Sequence, residues 1–187
     1  MPMEMPDCKL DLSSVLAEVK LALIKFGENP PADPMIISIL LPVVAGSGDD
    51  FMKDRRGSAL RHTGWRGLVR DGHQRPVASI DVFPGEGREQ PSIAVRGSEA
   101  AEAMAKVVTA ADTLAQPSRE SMQAVFLNLP SLFVTAIWLQ GKEDHFIPTR
   151  IDEGLRPGVE IYAEARFRAL VSERLDAVKR AVLPEEP

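Results

Sequence analysis

From Leu12 onward the apolar positions fall at Val15, Leu16, Val19, Leu23 and Phe26, three or four residues apart, so they line one stripe of a helix. Asp11 or Ser13 is available to cap its first turn and Gly27 to end it. The stretch Asn29-Pro30-Pro31-Ala32-Asp33-Pro34 follows, and its three prolines remove the N–H groups that a regular ladder needs, which predicts a linker or arm. From Met35 to Val44 helical spacing gives way to a nearly continuous run of Ile, Leu and Val, the pattern of a buried strand ending near Pro42.

Pro76 to Phe83 alternates, with Ala78, Ile80 and Val82 on one face and Ser79 and Asp81 on the other, as a half-buried strand requires. After the turn Gly85-Glu86-Gly87, Ile93 and Val95 repeat the alternation, so Gly67 to Arg96 is expected to form an antiparallel meander. Ser98 caps a predicted helix to about Ala115, with Ala101, Met104, Val108, Ala111 and Ala115 on one face. Met122 to Leu129 and Leu132 to Leu139 are two more apolar runs around Asn128-Leu129-Pro130. Apolar residues on both faces of the second, Phe133, Val134, Ile137 and Trp138, mark a central strand. Gln140 to Asp144 turns into a short strand closing at Ile147-Pro148, and a last helix is expected from Gly158 to about Val182, carrying Ile161 and Tyr162 in its first turn. No internal repeat is visible.

The sum is an α+β fold: a mostly antiparallel sheet of about five or six strands packed by two or three helices, with those at 98–115 and 158–182 on one face. Residues 1–34 form an N-terminal helix and proline-rich arm, and 35–187 a single α+β domain. The long apolar strand after the arm must be covered or paired, which points to a homodimer built through the arm.

In the last third of the chain, Leu129-Pro130, Leu132, Ala136, Trp138-Leu139, Gly141, Asp144 and Ile147-Pro148, followed by Pro157-Gly158 and an amphipathic helix, resemble small bacterial proteins of uncharacterised function. These are packing and turn residues. The resemblance implies a bacterial source and a shared fold, and it brings no catalytic residue with it.

Charge narrows the function classes. A formal net charge of −5 over 187 residues argues against bulk affinity for nucleic acid, so any polyanion site must be local. The N-terminus, MPMEMPDCKLDL, lacks the basic and apolar regions of a signal peptide, and no run is long enough for a membrane-spanning helix. With Cys8 as the single cysteine, no intrachain disulfide forms; a cytoplasmic, reducing setting is the expectation, with no membrane partner.

The sharpest local feature is the stretch Lys53 to Arg75, where seven cations face only Asp54 and Asp71, an excess of five. It is expected to be largely exposed loop. Lys53, Arg55, Arg56, Arg61, Arg66 and Arg70, with Trp65 among them, are the groups that could hold phosphates and stack on bases. A solvated loop answering acidic patches elsewhere is the plainer reading, since no recognised nucleic-acid motif frames the arginines. Gly46-Ser47-Gly48 faintly suggests a phosphate-cradling turn, but Asp49 and Asp50 would repel an anion, and a flexible loop is the plainer reading. Asp144 and His145, with Glu143, and His62 and His73 elsewhere, are the weak candidates for a metal or an acid–base pair. Consecutive residues on an extended chain point apart, which favours an exposed charged turn. No nucleophile elbow is present and nothing poises Cys8 as a thiolate. No cofactor motif is found. The expectation is a non-enzymatic interaction or ligand-binding module, with polyanion binding through 53–75 as the alternative and a small metal-dependent hydrolase last.

Overall fold

The computed structural model describes residues 11–85, 91–115, 122–150 and 160–182. Its elements are α1 (Leu12–Lys25), β1 (Ile36–Ala45), α2 (Gly48–Lys53), β2 (Arg61–Arg70), β3 (Pro76–Phe83), β4 (Ser92–Arg96), α3 (Ser98–Ala115), β5 (Gln123–Leu129), β6 (Val134–Gln140), β7 (His145–Arg150), β8 (Tyr162–Ala163) and α4 (Glu164–Val182). The class is α+β, but the sheet has eight strands rather than five or six, in the order β4-β3-β2-β1-β5-β6-β7-β8. Every neighbouring pair is antiparallel except β1 and β5, which run parallel through Val43–Phe126, Val44–Leu127 and Ala45–Asn128. The sheet is therefore two four-strand meanders laid outward from one short parallel seam. A repeat that the residues do not display is present in the topology.

Local chemistry explains most boundaries. Asp11 caps α1 by accepting from the Ser13 N–H, and Gly27, at φ +75°, takes the left-handed conformation that ends it. Pro42 does not end β1. It pairs with Trp65 of β2 on one side, while pairing with β5 starts only at Val43, so the missing N–H falls where no second neighbour needs it. Gly46 to Gly48 is no flexible loop: Ser47 caps α2 in a reciprocal box with Asp50, whose carboxylate receives the Ser47 N–H. Arg168 of α4 closes the other end, donating to the carbonyls of Phe51 (2.6 Å) and Asp54 (3.2 Å) while lying over the Phe51 ring.

The largest correction concerns the basic segment. Its second half is β2, an interior strand, because Leu68 and Val69 are fully buried on opposite faces; Arg66 and Arg70 are half-buried and Arg61 stays exposed. Ser79 and Asp81 do face away from Ala78, Ile80 and Val82, yet they too are buried. The last helix begins at Glu164; Tyr162 belongs to β8, and Ile161 precedes it. Phe133 is not on a strand: it follows the 3-10 turn Pro130–Leu132 in the left-handed region, φ 53°, and is exposed.

The two long helices lie on opposite faces. Beneath α3 a core joins Leu41, Leu68, Phe126, Ile137 and Ile147 to Met104, Val108 and Ala111. Phe167 and Val171 of α4 pack with Leu127, Trp138 and Phe146, the alternate residues of the same strands, and α2 inserts Phe51 edge-on against Trp138, Phe146 and Phe167. On that second face α1 covers Ile37, Val69, Ile80 and Val82 through Val15, Val19 and Leu23. Both faces of the apolar strand β1 thus pack against elements of the same chain.

Candidate functional site

The strand pattern separates the basic candidates from one another. Lys53, Arg55 and Arg56 lie at the exit of α2, where Lys53 meets Asp50 and Arg55 meets Glu164 at 3.8 Å. Asp54 there is held below the usual carboxylate range by the Ser58 hydroxyl and by the N–H groups of Arg56 and Ser58. Arg61 opens β2 and is exposed. Trp65 packs edge-on to His62 at 4.9 Å in the cluster under α1, whereas Arg66 points to the α3 face. Arg70 donates to the Ser38 hydroxyl and to the Gln74 carbonyl.

The acidic turn serves the fold. Asp144 accepts from the Trp138 indole at 2.9 Å and from the Gly141 N–H at 3.1 Å, closing the β6–β7 turn. The His145 Nδ1 lies 3.1 Å from the Glu143 carbonyl, and His73 lies 3.0 Å from Asp33. His62, His73 and His145 are not brought together, and among the described residues no group of three His, Cys, Asp or Glu side chains is placed to hold a metal. Cys8 lies outside the described residues.

Two features of the α3 face were missed. At the end of the sheet where β1 and β5 finish, the buried Asp81 receives both Nε (2.5 Å) and Nη2 (2.7 Å) of Arg66 and also Nη2 of Arg96 at 2.8 Å. The Arg66 guanidinium lies 4.0 Å from the Phe126 ring centre and so caps the core row at Phe126. Burial, then the charges of Arg66 and Arg150, push Arg96 below the usual guanidinium value, with Asp81 opposing. A signal existed: Arg66 and Asp81 occupy facing positions, visible once the β2–β3 register is known.

The second feature is a groove of about 740 Å³ at the opposite end of the same face, where β2 finishes and β3 begins. Ala105, Ala110 and Leu114 of α3 form its wall, Pro76 and Ile161 face them, and Arg70, Glu102 and Lys106 stand at the rim. It exists because α3 carries alanine and threonine along this flank, too small to fill the space against the sheet. Lys106 makes no ion pair among the described residues.

The fold and these sites define an α+β protein with an apolar groove and an arginine cluster at opposite ends of one sheet face. Comparison of the chain with protein-family models, curated proteins and solved structures finds no match. Among the described residues no helix is long and apolar enough to cross a membrane.

Proposed function

We propose that this protein is a non-enzymatic ligand-binding module that takes a small amphipathic anion in the groove beside α3. The observation that carries the reading is the groove itself: its volume lies inside the range of roughly 300 to 1,000 Å³ in which small-molecule sites fall, and its lining is mostly apolar with a few charged groups at the rim. Burial of an apolar body against Ala105, Ala110, Leu114 and Ile161 would drive binding, while Lys106 and Arg70 would orient the anionic end. The side chains that a hydrolytic mechanism would recruit, Asp144 and His145, are instead engaged by turn and indole groups.

Anilinonaphthalene sulfonate, an apolar body with one sulfonate, is a suitable probe. The full chain is expected to bind it saturably, one to one. Thr109→Trp sets an indole across the groove from an exposed position, so it should weaken binding about tenfold or more with the thermal midpoint unchanged. Equal affinity in the variant and the parent would contradict the assignment.

A further inference from the structure

We propose that two copies of this chain pair about a two-fold axis through the free edge of the sheet, β4, and the flank of α1 beside it. Strand β4 ends the sheet, and among the described residues it pairs with β3 alone. Bonded and open pairs alternate along an antiparallel register, and the bond from the Gly46 N–H to the Asn128 carbonyl fixes their phase on β1. Carried through β2 and β3, that phase bonds Ser92, Ala94 and Arg96 to β3 and turns the N–H and C=O groups of Ile93 and Val95 outward. Nothing within β4 blocks a further strand: it holds no proline, lysine or bulge, and its one charge, Arg96, is bound to Asp81.

A second β4 laid antiparallel about Ala94 sets Ile93 against the partner's Val95 and Ser92 against the partner's Arg96, each twice, and satisfies the outward groups of both copies. The small Ala94 side chains meet at the axis. The same axis suits α1. This helix packs with Ile93 and Val95 and leads to Glu28, whose carboxylate closes on Gly97, so it runs beside β4 in the same direction. Glu18, Leu21, Ala22 and Lys25 form a stripe at i, i+3, i+4 and i+7, which the right-handed turn of the helix aims toward the free edge. Leu21 and Ala94 each lie on the order of 10 Å before the Glu28–Gly97 contact by the rises of helix and strand, hence at one height. Reversed about that height, the stripe opposes Glu18 to the partner's Lys25 and Leu21 to the partner's Ala22, again twice. Leu21 is 53% exposed, and neither Glu18 nor Lys25 makes an ion pair among the described residues.

A second copy is favoured over an unrelated strand because backbone, side-chain size and charge all match under one operation. Sedimentation velocity of the full chain at low salt, over a range of concentrations, is expected to show a reversible dimer. Glu18→Lys and Lys25→Glu each set like charges against one another across the axis and should raise the dissociation constant about tenfold, while the double reversal restores it. Both positions are exposed and unpaired, so the variants stay folded, which circular dichroism checks. Hydrogen exchange at the Ile93 and Val95 amides should slow as concentration rises, and should stay fast in Glu18→Lys at the same concentration. A monomer at every concentration, or a dimer indifferent to both reversals, overturns the proposal. So does protection of these amides that is independent of concentration, as a segment of the same chain lying on β4 would give.

Discussion

Asp81 shows how much one residue can hold. It lies under α3 with Arg66 across from it and Arg96 reaching in from the edge strand β4. Removing its charge leaves the Arg66 guanidinium without a counter-ion in a buried position. Asp81→Asn is therefore expected to cost about 3 to 5 kcal/mol, measurable by urea unfolding, whereas the paired change Arg66→Met with Asp81→Leu should recover much of that loss. Equal costs for the single and paired variants would show that the ion pair is not the cause. Asp71 makes a pH-dependent contribution. Burial acts to raise its pKa, but the N–H and guanidinium of Arg75 and the N–H of His73 outweigh burial and hold the carboxyl below its ordinary value. A carboxyl depressed in the folded state stabilises the fold above its unfolded pKa, about 4, and that contribution is lost as pH falls through the lower folded value. Thermal midpoints should thus decline below about pH 4, and less steeply in Asp71→Asn. Parallel declines would remove Asp71 from the explanation.

At the scale of elements, α2 is the clearest case of structure hidden by composition. It is only six residues long, and the Gly46-Ser47-Gly48 stretch that opens it was expected to be a flexible loop; what fixes it is the Ser47–Asp50 box and Phe51 driven into the aromatic cluster. Ser47→Ala should cost about 1 kcal/mol, read from the denaturation midpoint, because an orphan N–H is then left uncapped. A neutral result would mean that Phe51 alone holds the helix. β2 was hidden for a related reason. An arginine can lie within such a strand only if its guanidinium finds partners, and those of Arg66, Asp81 and Phe126, lie 15 and 60 positions away in the chain. By contrast α1, β3 and α3 declare themselves, since their period, caps and turns are local.

For the whole molecule, hydrophobic pattern was enough to indicate mixed α and β structure and most of its segments. It could not order them. The parallel β1–β5 pairing joins residues far apart in sequence through three pairs only, and nothing short-range encodes it. Which face each helix covers depends on that order, so α3 and α4 were expected on one side and lie on two. Both candidate sites follow from this arrangement: α3 crosses one face alone, with the groove toward one end of the sheet and the arginines toward the other. The groove joins one flank of α3 to Arg70, Pro76 and Ile161, which lie far from it in the chain, and this is why only Arg66 and Arg70 drew notice beforehand.

The central claim is that the groove beside α3 is the binding site. Amide chemical shifts recorded during titration with anilinonaphthalene sulfonate test it most directly. The account predicts perturbations concentrated at Arg70, along Glu102 to Leu114 and at Ile161, and absent in Thr109→Trp. Perturbations centred instead on the exposed apolar residues of α1, Leu21, Ile24 and the adjacent Phe26, would contradict it.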